Sequence, residues 1–490
     1  MKMKKLLGLL LVTAMAVSTV GCGAEKKQEV TQKESETKNE VSVETSEATE
    51  EKEAEPEPVT IKVDRMPDKD KSPEKYESMV KQVAAFEELY PWITIEWDTS
   101  VYSVDTFMAK AATGQLPDIM YIPATEANKI VSAGYAQDIT AMMEKYGYTE
   151  AVKADVLDAF TYDEKIYFIP YSSYTMGLVM NKAVLEEAGE LNADGSVNYP
   201  ETWEELAEMA GRIKEKTGKA GLALPTTGNC GGWHFMNIAW SYGVDFMAQD
   251  EDGKWVTQFN TPECVEALQF VSDLKWKYDA LSDNEFIDYA EMYKLTGSGQ
   301  AAMVMSTPDT GCMNDLGANG MVAEEFAIGH LPAGPEGRYA LSGGSLFMIP
   351  AGTSEEKQDA CFKWTEFIGE GVSMTEEALE SQRAALEDRV AKGSMVLPKV
   401  LASSYNDGQR AEALNKLYGE YADVKPEQVA AFEESGVVTV RMEEPQCCQD
   451  LYAIFDNLVQ AVLTDENADI ESLVEKAAND FQVNFLDNVQ

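Results

Sequence analysis

Residues 76–97 read YESMVKQVAAFEELYPWITIEW, and two hydrophobic periods meet within them. Tyr76, Met79, Val80, Val83, Phe86 and Leu89 recur at the spacing of one helix face, and Pro91 ends the run. Ile93, Ile95 and Trp97 then alternate with polar residues, as a half-buried strand does. Upstream, Val59, Ile61 and Val63 alternate in the same way, and Ser72-Pro73 offers an N-cap and a first-turn proline. Downstream, a helix near 105–113 leads through Gly114-Gln115-Leu116-Pro117-Asp118 into a short apolar strand at 119–122. Strand, helix, strand, helix, strand in this order predicts a doubly wound α/β lobe.

A second unit of the same kind follows. Thr202 and Glu205 have the spacing of a capping box, ahead of Trp203, Leu206, Met209 and Ile213 on one helical face. GLALP at 221–225 reads as the next strand. Thr261-Pro262 opens a helix carrying Val265, Leu268, Val271 and Leu274, and another begins near Ser354. Asp194-Gly195 and Asp252-Gly253 mark turns; Asp250, Glu251 and Asp252 lack the later ligands of a calcium loop and read as a hairpin turn. A helical pattern at 451–462 suits a closing layer. The 490 residues, 44% hydrophobic, suffice for two lobes with cores of their own.

The charge is lopsided: 85 acidic residues against 40 basic ones, a formal net charge of −45. Such a chain repels phosphate backbones, which excludes nucleic acid as a partner. With only two histidines, His234 and His330, a His-rich metal site is excluded, and no metal or cofactor is expected. The seven cysteines fit neither a zinc spacing nor a dense disulfide scaffold; Cys447-Cys448 reads as an incidental buried pair. There is no G-x-S-x-G elbow, no P-loop and no H-E-x-x-H, so no catalytic set is assigned.

Residues 1–21 read as an export signal: Lys2, Lys4 and Lys5, then an apolar run at 6–17, too short to span a bilayer. Thr19-Val20-Gly21-Cys22 resembles the lipobox of bacterial lipoproteins, with Thr19 where Leu is usual; the resemblance implies diacylation of Cys22 and a membrane anchor. Residues 24–58 hold 12 Glu, 5 Lys and no aromatic residue, so they cannot bury enough apolar surface to fold and read as a disordered acidic tether.

The collinear pieces FEELYPWITIEW (86–97), GQLPDIMYIP (114–123), KIYFIPYSSYTMGLVMNK (165–182) and YPETWEEL (199–206) are similar to the extracellular solute-binding proteins of ABC importers. FNTPECVEALQFV (259–271), GSGQAAMVMSTP (297–308) and LSGGSLFMIPAGTSEEKQDACFKWTEFI (341–368) continue the resemblance, specifically to the sugar-binding group of maltodextrin-binding type. After AAMVM that family often continues with Gly and a Trp that stacks on sugar; here Ser306-Thr307-Pro308-Asp309 stands instead. The resemblance implies two α/β lobes of the periplasmic-binding-protein-like fold, each a doubly wound sheet with flanking helices, closing on a ligand in the cleft between them. It puts 59–171 with 331–370 in one lobe and 172–330 with 371–490 in the other, with hinges near 170–176 and 330–334. The implied function is capture of a carbohydrate, an oligosaccharide by preference, by a monomeric cell-surface lipoprotein that delivers it to ABC transporter permease subunits, without catalysis. A peptide or polyamine ligand on the same fold, a secreted carbohydrate-active enzyme and a non-transporting surface receptor are the alternatives.

Sugar binding calls for flat aromatic faces together with amides and carboxylates. The candidates are Trp233 and Asn229 in TTGNCGGWH at 226–234, and Tyr171 and Tyr174 at the presumed hinge. To these are added the loop Gly343, Gly344 and Ser345, and Asp309, which either bonds hydroxyls or caps a helix. Thr125 and Glu126 follow a strand, and Asp64 and Arg65 close one. Trp233 either stacks on ligand or packs in the core; Tyr121 has the same two readings; His234 beside Trp233 reads as a polar contact rather than a base.

Overall fold

The computed structural model describes residues 57–70, 73–401 and 403–489; the export segment, Cys22, the tether up to residue 56 and Ser72 lie outside the described residues. Along the chain run β1 (Val59–Val63), α1 (Pro73–Leu89), β2 (Ile93–Trp97), β3 (Met120–Pro123), β4 (Phe168–Thr175) and β5 (Gly177–Asn181). Then come α2 (Trp203–Thr217), β6 (Ala220–Ala223), α3 (Cys230–Ser241), α4 (Pro262–Trp276), β7 (Ala301–Ser306), α5 (Thr310–Ala318) and β8 (Phe326–Gly329). The long β9 (Tyr339–Met348), α6 (Glu355–Phe367), α7 (Glu376–Ala391), α8 (Gln409–Tyr421), β10 (Thr439–Met442), α9 (Cys448–Thr464) and α10 (Ile470–Asn484) complete the order.

In the first lobe β1 and β2 pair in parallel from Val59↔Ile93 to Val63↔Trp97, and a parallel bridge Val63↔Ile119 carries β1 to the approach of β3. β3 pairs antiparallel with the second half of β9, and β4 pairs with β9 along its other edge. In the second lobe the strand order is β8-β5-β7-β6. Helices cover each sheet; of the face expected on α1, Val83 and Phe86 are buried and Tyr76 and Met79 half-buried, while Val80 and Leu89 stay exposed. Phe86 of α1 meets Trp364 of α6 edge-on, with ring centroids 5.2 Å apart; Phe235 of α3 stacks on Phe455 of α9 at 5.0 Å.

The predicted caps form. Thr261 Oγ1 accepts from the Cys264 N–H at 3.3 Å, and Ser354 Oγ from Lys357 N–H at 3.5 Å. At α2 the box closes one residue early: Thr202 Oγ1 accepts from Glu205 N–H, but Glu205 Oε2 accepts from the N–H of Glu201 rather than of Thr202. Asp250 Oδ1 accepts from the N–H groups of Asp252 and Lys254, both at 2.9 Å, in the turn of a hairpin. All six cysteines among the described residues are free.

The chain passes from the first sheet to the second at Met176 and returns through residues 330–338. Residues 371–490, expected wholly in the second lobe, are shared. Tyr405 sits in the first lobe's core with Tyr148 and Phe362. Met395, Leu397, Val424 and Val429 sit in the second lobe's with Val304 and Phe326. Beyond β10, which pairs in parallel with β9 at 339–342, α9 and α10 close the second lobe.

α3 packs against α9. The start of α3 is capped from across this contact: Asp456 accepts from the N–H groups of Asn229 at 2.7 Å and Gly232 at 2.8 Å. A Cβ at Gly232 would fall inside the backbone of Tyr452. Gly232→Ala therefore forces the two helices apart and should destabilise the protein by about 1–3 kcal/mol or more. The measurement is the urea unfolding midpoint; an unchanged midpoint would mean that the contact yields at no cost.

Candidate functional site

Where the loops of the two sheets converge lies a cleft of about 1190 Å³, walled by both lobes. Its first-lobe floor starts at the end of β1. Asp64 is buried there, and its Oδ2 accepts from the Tyr121 N–H at 3.0 Å. Arg65 follows at φ +54°, a left-handed backbone that a non-glycine residue takes only when its surroundings hold it. Its guanidinium lies 4.2 Å from the centre of the Tyr121 ring and 5.5 Å from that of Tyr171. Tyr171 meets Tyr121 edge-on at 5.7 Å and Phe347 at 4.9 Å. Ser345 Oγ donates to Tyr121 Oη at 2.5 Å. The result is an aromatic floor edged by a cation and hydroxyls.

The second-lobe wall is carried by α3 and α5. Asn229, at φ +66°, turns the chain into α3, and its Nδ2 donates to the carbonyl and Oε1 of Gln449. One turn on, Trp233 meets Tyr174 edge-on at 5.8 Å. Asp309 caps α5, accepting from Cys312 N–H at 3.0 Å and from Thr307 Oγ1 at 2.6 Å.

Of the candidates, Asp64, Arg65, Tyr171, Tyr174, Asn229, Trp233, Asp309, Gly344 and Ser345 line this cleft. The structure does not bring three others there. Glu126 is buried, accepting from Tyr102 Oη at 2.6 Å, and Thr125 Oγ1 accepts from Gln449 Nε2 at 3.2 Å. Gly343 backs the wall, where a Cβ would strike Tyr174 Oη and Glu443. His234 is wholly buried between the carbonyls of Cys230 and Met305, and burial lowers its pKa to about 4. The cleft also takes in Tyr121, Tyr289, Glu370, Glu443 and Tyr452, and a roof from residues 381–418 that includes Arg389 and Arg410. The roof carries no local motif; on α7 and α8 its charged residues read as ordinary solvated helix positions. Among the described residues no group of His, Cys, Asp or Glu forms a metal site, and no helix is long and apolar enough to cross a membrane.

The model of the bacterial extracellular solute-binding protein family matches residues 69–369, more than half of the chain. The chain belongs to that family. It is 25% identical over 231 residues to an arabinooligosaccharide-binding protein of Halalkalibacterium halodurans, covering 46% of this chain and 49% of the relative. It is 34% identical over 211 residues to the sn-glycerol-3-phosphate-binding periplasmic protein UgpB of Yersinia enterocolitica, covering 41% and 44%. The chain thus spans about half the length of the curated relatives it matches. Maltose-bound MalE3 of T. maritima superposes with a TM-score of 0.62 at 20% identity, over 86% of this chain and 99% of that one, which shows the same fold.

Three acids, Asp64 and Glu444 buried and Glu443 half-buried, set the electrostatics. Burial raises Asp64 to about 6, against the pull of Arg65. Burial also raises Glu443 to about 7, although it accepts from Tyr452 Oη at 2.9 Å. Glu444 behind it is likewise raised to about 7 by burial, Arg441 notwithstanding. Each of these acids holds its proton more tightly folded than unfolded. Between the ordinary carboxylate value and the raised one the folded chain binds more protons, so stability falls as pH rises through that window. Buried His234, which takes up its proton only on unfolding, works the other way at pH 5, but the three acids together outweigh it, so the protein should melt at a higher temperature at pH 5 than at pH 8. Glu443→Gln should narrow that gap by about 1–2 kcal/mol, read from unfolding curves at both pH values. An equal gap in both proteins would show that Glu443 ionises freely.

Proposed function

We propose that this chain captures a carbohydrate, an oligosaccharide by preference, between its two lobes and passes it to the permease subunits of an ABC transporter, with no chemistry of its own. The observation that carries this reading is the cleft itself. Tyr121 and Tyr171 on one side and Trp233 and Tyr174 on the other bring aromatic rings to the cleft, with Ser345, Asp309 and Asn229 also lining it for hydroxyls. Its volume of about 1190 Å³ suits several sugar rings better than one small polar molecule. The naming of one relative for arabinooligosaccharides and the maltose in one solved structure of this fold support the same class.

Ligand contacts to both lobes favour the closed arrangement, and the closed form is what the permease recognises. Acylation of Cys22, with the acidic segment behind it as a tether, keeps the receptor at the outer face of the cell membrane.

Titration calorimetry of the full chain against a panel of neutral oligosaccharides tests the reading. At least one member should bind, and Trp233→Ala should weaken that binding about tenfold or more through the lost ring contact. Silence across the panel, with binding of peptides or polyamines instead, would keep the fold and replace the ligand. The anchor has a separate test: Cys22→Ser should abolish incorporation of labelled palmitate in growing cells, and continued labelling would disprove it.

A further inference from the structure

The roof of the cleft lies beyond the residues matched by the family model, and it is unlike the rest of this acidic chain. Across the whole sequence acids outnumber bases 85 to 40; along the cleft there are five of each. Two of the five bases are roof arginines whose hydrogen bonding is incomplete. Arg389 donates from Nη1 to Thr310 Oγ1 at 2.6 Å and from Nη2 to Tyr418 Oη at 3.2 Å, but its buried Nε has no acceptor. Arg410 lies 4.6 Å over the Tyr405 ring, with both Nε and Nη1 buried and without an acceptor. Buried donors are seldom left unmade, because each carries the whole penalty of its desolvation.

The group facing them is Glu370. Its carboxylate accepts from Gln382 Nε2 at 3.2 Å, and Arg410, Arg65 and Arg389 all act on it. Three guanidinium groups thus act on one half-buried carboxylate which, among the described ion pairs, is bridged to none of them. Of the other charged groups along the roof, Lys399 is engaged by Glu433 at 2.5 Å. A guanidinium whose donors are not all engaged can take a carboxylate oxygen through a charge-assisted N–H···O bond.

We infer that the roof adds an oxyanion subsite to the cleft, in which Arg389 and Arg410 take the carboxylate of an acidic saccharide while the aromatic floor takes its rings. The inference rests on the saccharide reading above and narrows it to sugars that carry a carboxylate, such as hexuronic acid oligomers. A phosphate offers the same oxyanion chemistry, but a molecule as small as glycerol phosphate leaves the aromatic floor and most of the cleft unfilled.

The test is titration calorimetry of the full chain with trimers of galacturonic and of glucuronic acid, each beside its methyl ester, and with glycerol 3-phosphate. One free acid should bind at least tenfold more tightly than its ester, and raising NaCl from 50 to 500 mM should weaken the acid and not the ester. In Arg410→Gln the preference of acid over ester should fall to about twofold. Arg389→Lys, which keeps the charge and loses the fork, serves as the second variant should the first fail to fold, and should lower the preference at least threefold. Equal binding of acid and ester overturns the inference, as does a preference that neither variant moves, or binding of glycerol 3-phosphate alone. Neutral oligosaccharides that bind with no acidic preference remove this subsite and leave the saccharide reading standing; absence of all saccharide binding removes both.

Discussion

The antiparallel pairing of β4 with β9 is the constraint from which the rest of the molecule follows. These are the two strands that lead into and out of the second lobe, and they are bonded from Ser342↔Thr175 to Met348↔Phe168, with a register shift between Ser345 and Leu346. Because the pairing runs up to the residue before Met176, the two crossings lie side by side. Gly344 allows that approach: a Cβ there would enter the backbone of Ser172. The same pairing sets Tyr171 and Tyr174 beside Gly343, Gly344 and Ser345, so the strands that join the lobes also furnish the base of the cleft.

The first-lobe floor hangs on one desolvated carboxylate. Asp64 is withdrawn from water at the end of β1 and satisfied by the Tyr121 N–H. Its partner Arg65 lies 3.8 Å away and is held in the left-handed region, where its guanidinium covers Tyr121. A buried acid beside a strained arginine is an expensive arrangement. It stands because the sheet on one side and the aromatic cluster on the other leave neither residue an alternative.

Much of this was legible in the sequence where the cause is local. The alternation of Val59, Ile61 and Val63, the inward pair Val83 and Phe86 of α1, and the caps at Thr202, Thr261 and Ser354 depend on neighbours within a few residues. Trp233 could be set beside the cleft from the glycines around it, and Tyr171 and Tyr174 from the hinge that the family resemblance implies near 170–176. Glu126 misled, because the group that satisfies it is Tyr102, 24 residues away. The roof was illegible for the same reason at greater range. α7 buries only Ala378 and Leu386, so its amphipathic stripe is weak, and Arg389 acquires its meaning from Thr310 and Tyr418. Glu443 and Glu444 read as one more pair of surface acids until β10 places them behind the strands that cross.

The connectivity between the lobes has a parity. The described chain opens in one sheet with Val59, crosses at Met176, returns through residues 330–338, and after wandering between the two cores in residues 371–446 finishes in the other lobe with α10. An odd number of net passages leaves its two ends on different bodies. The span from β1 to α10 is therefore an internal ruler: rotation about the paired strands alters it, while rearrangement confined to either lobe does not.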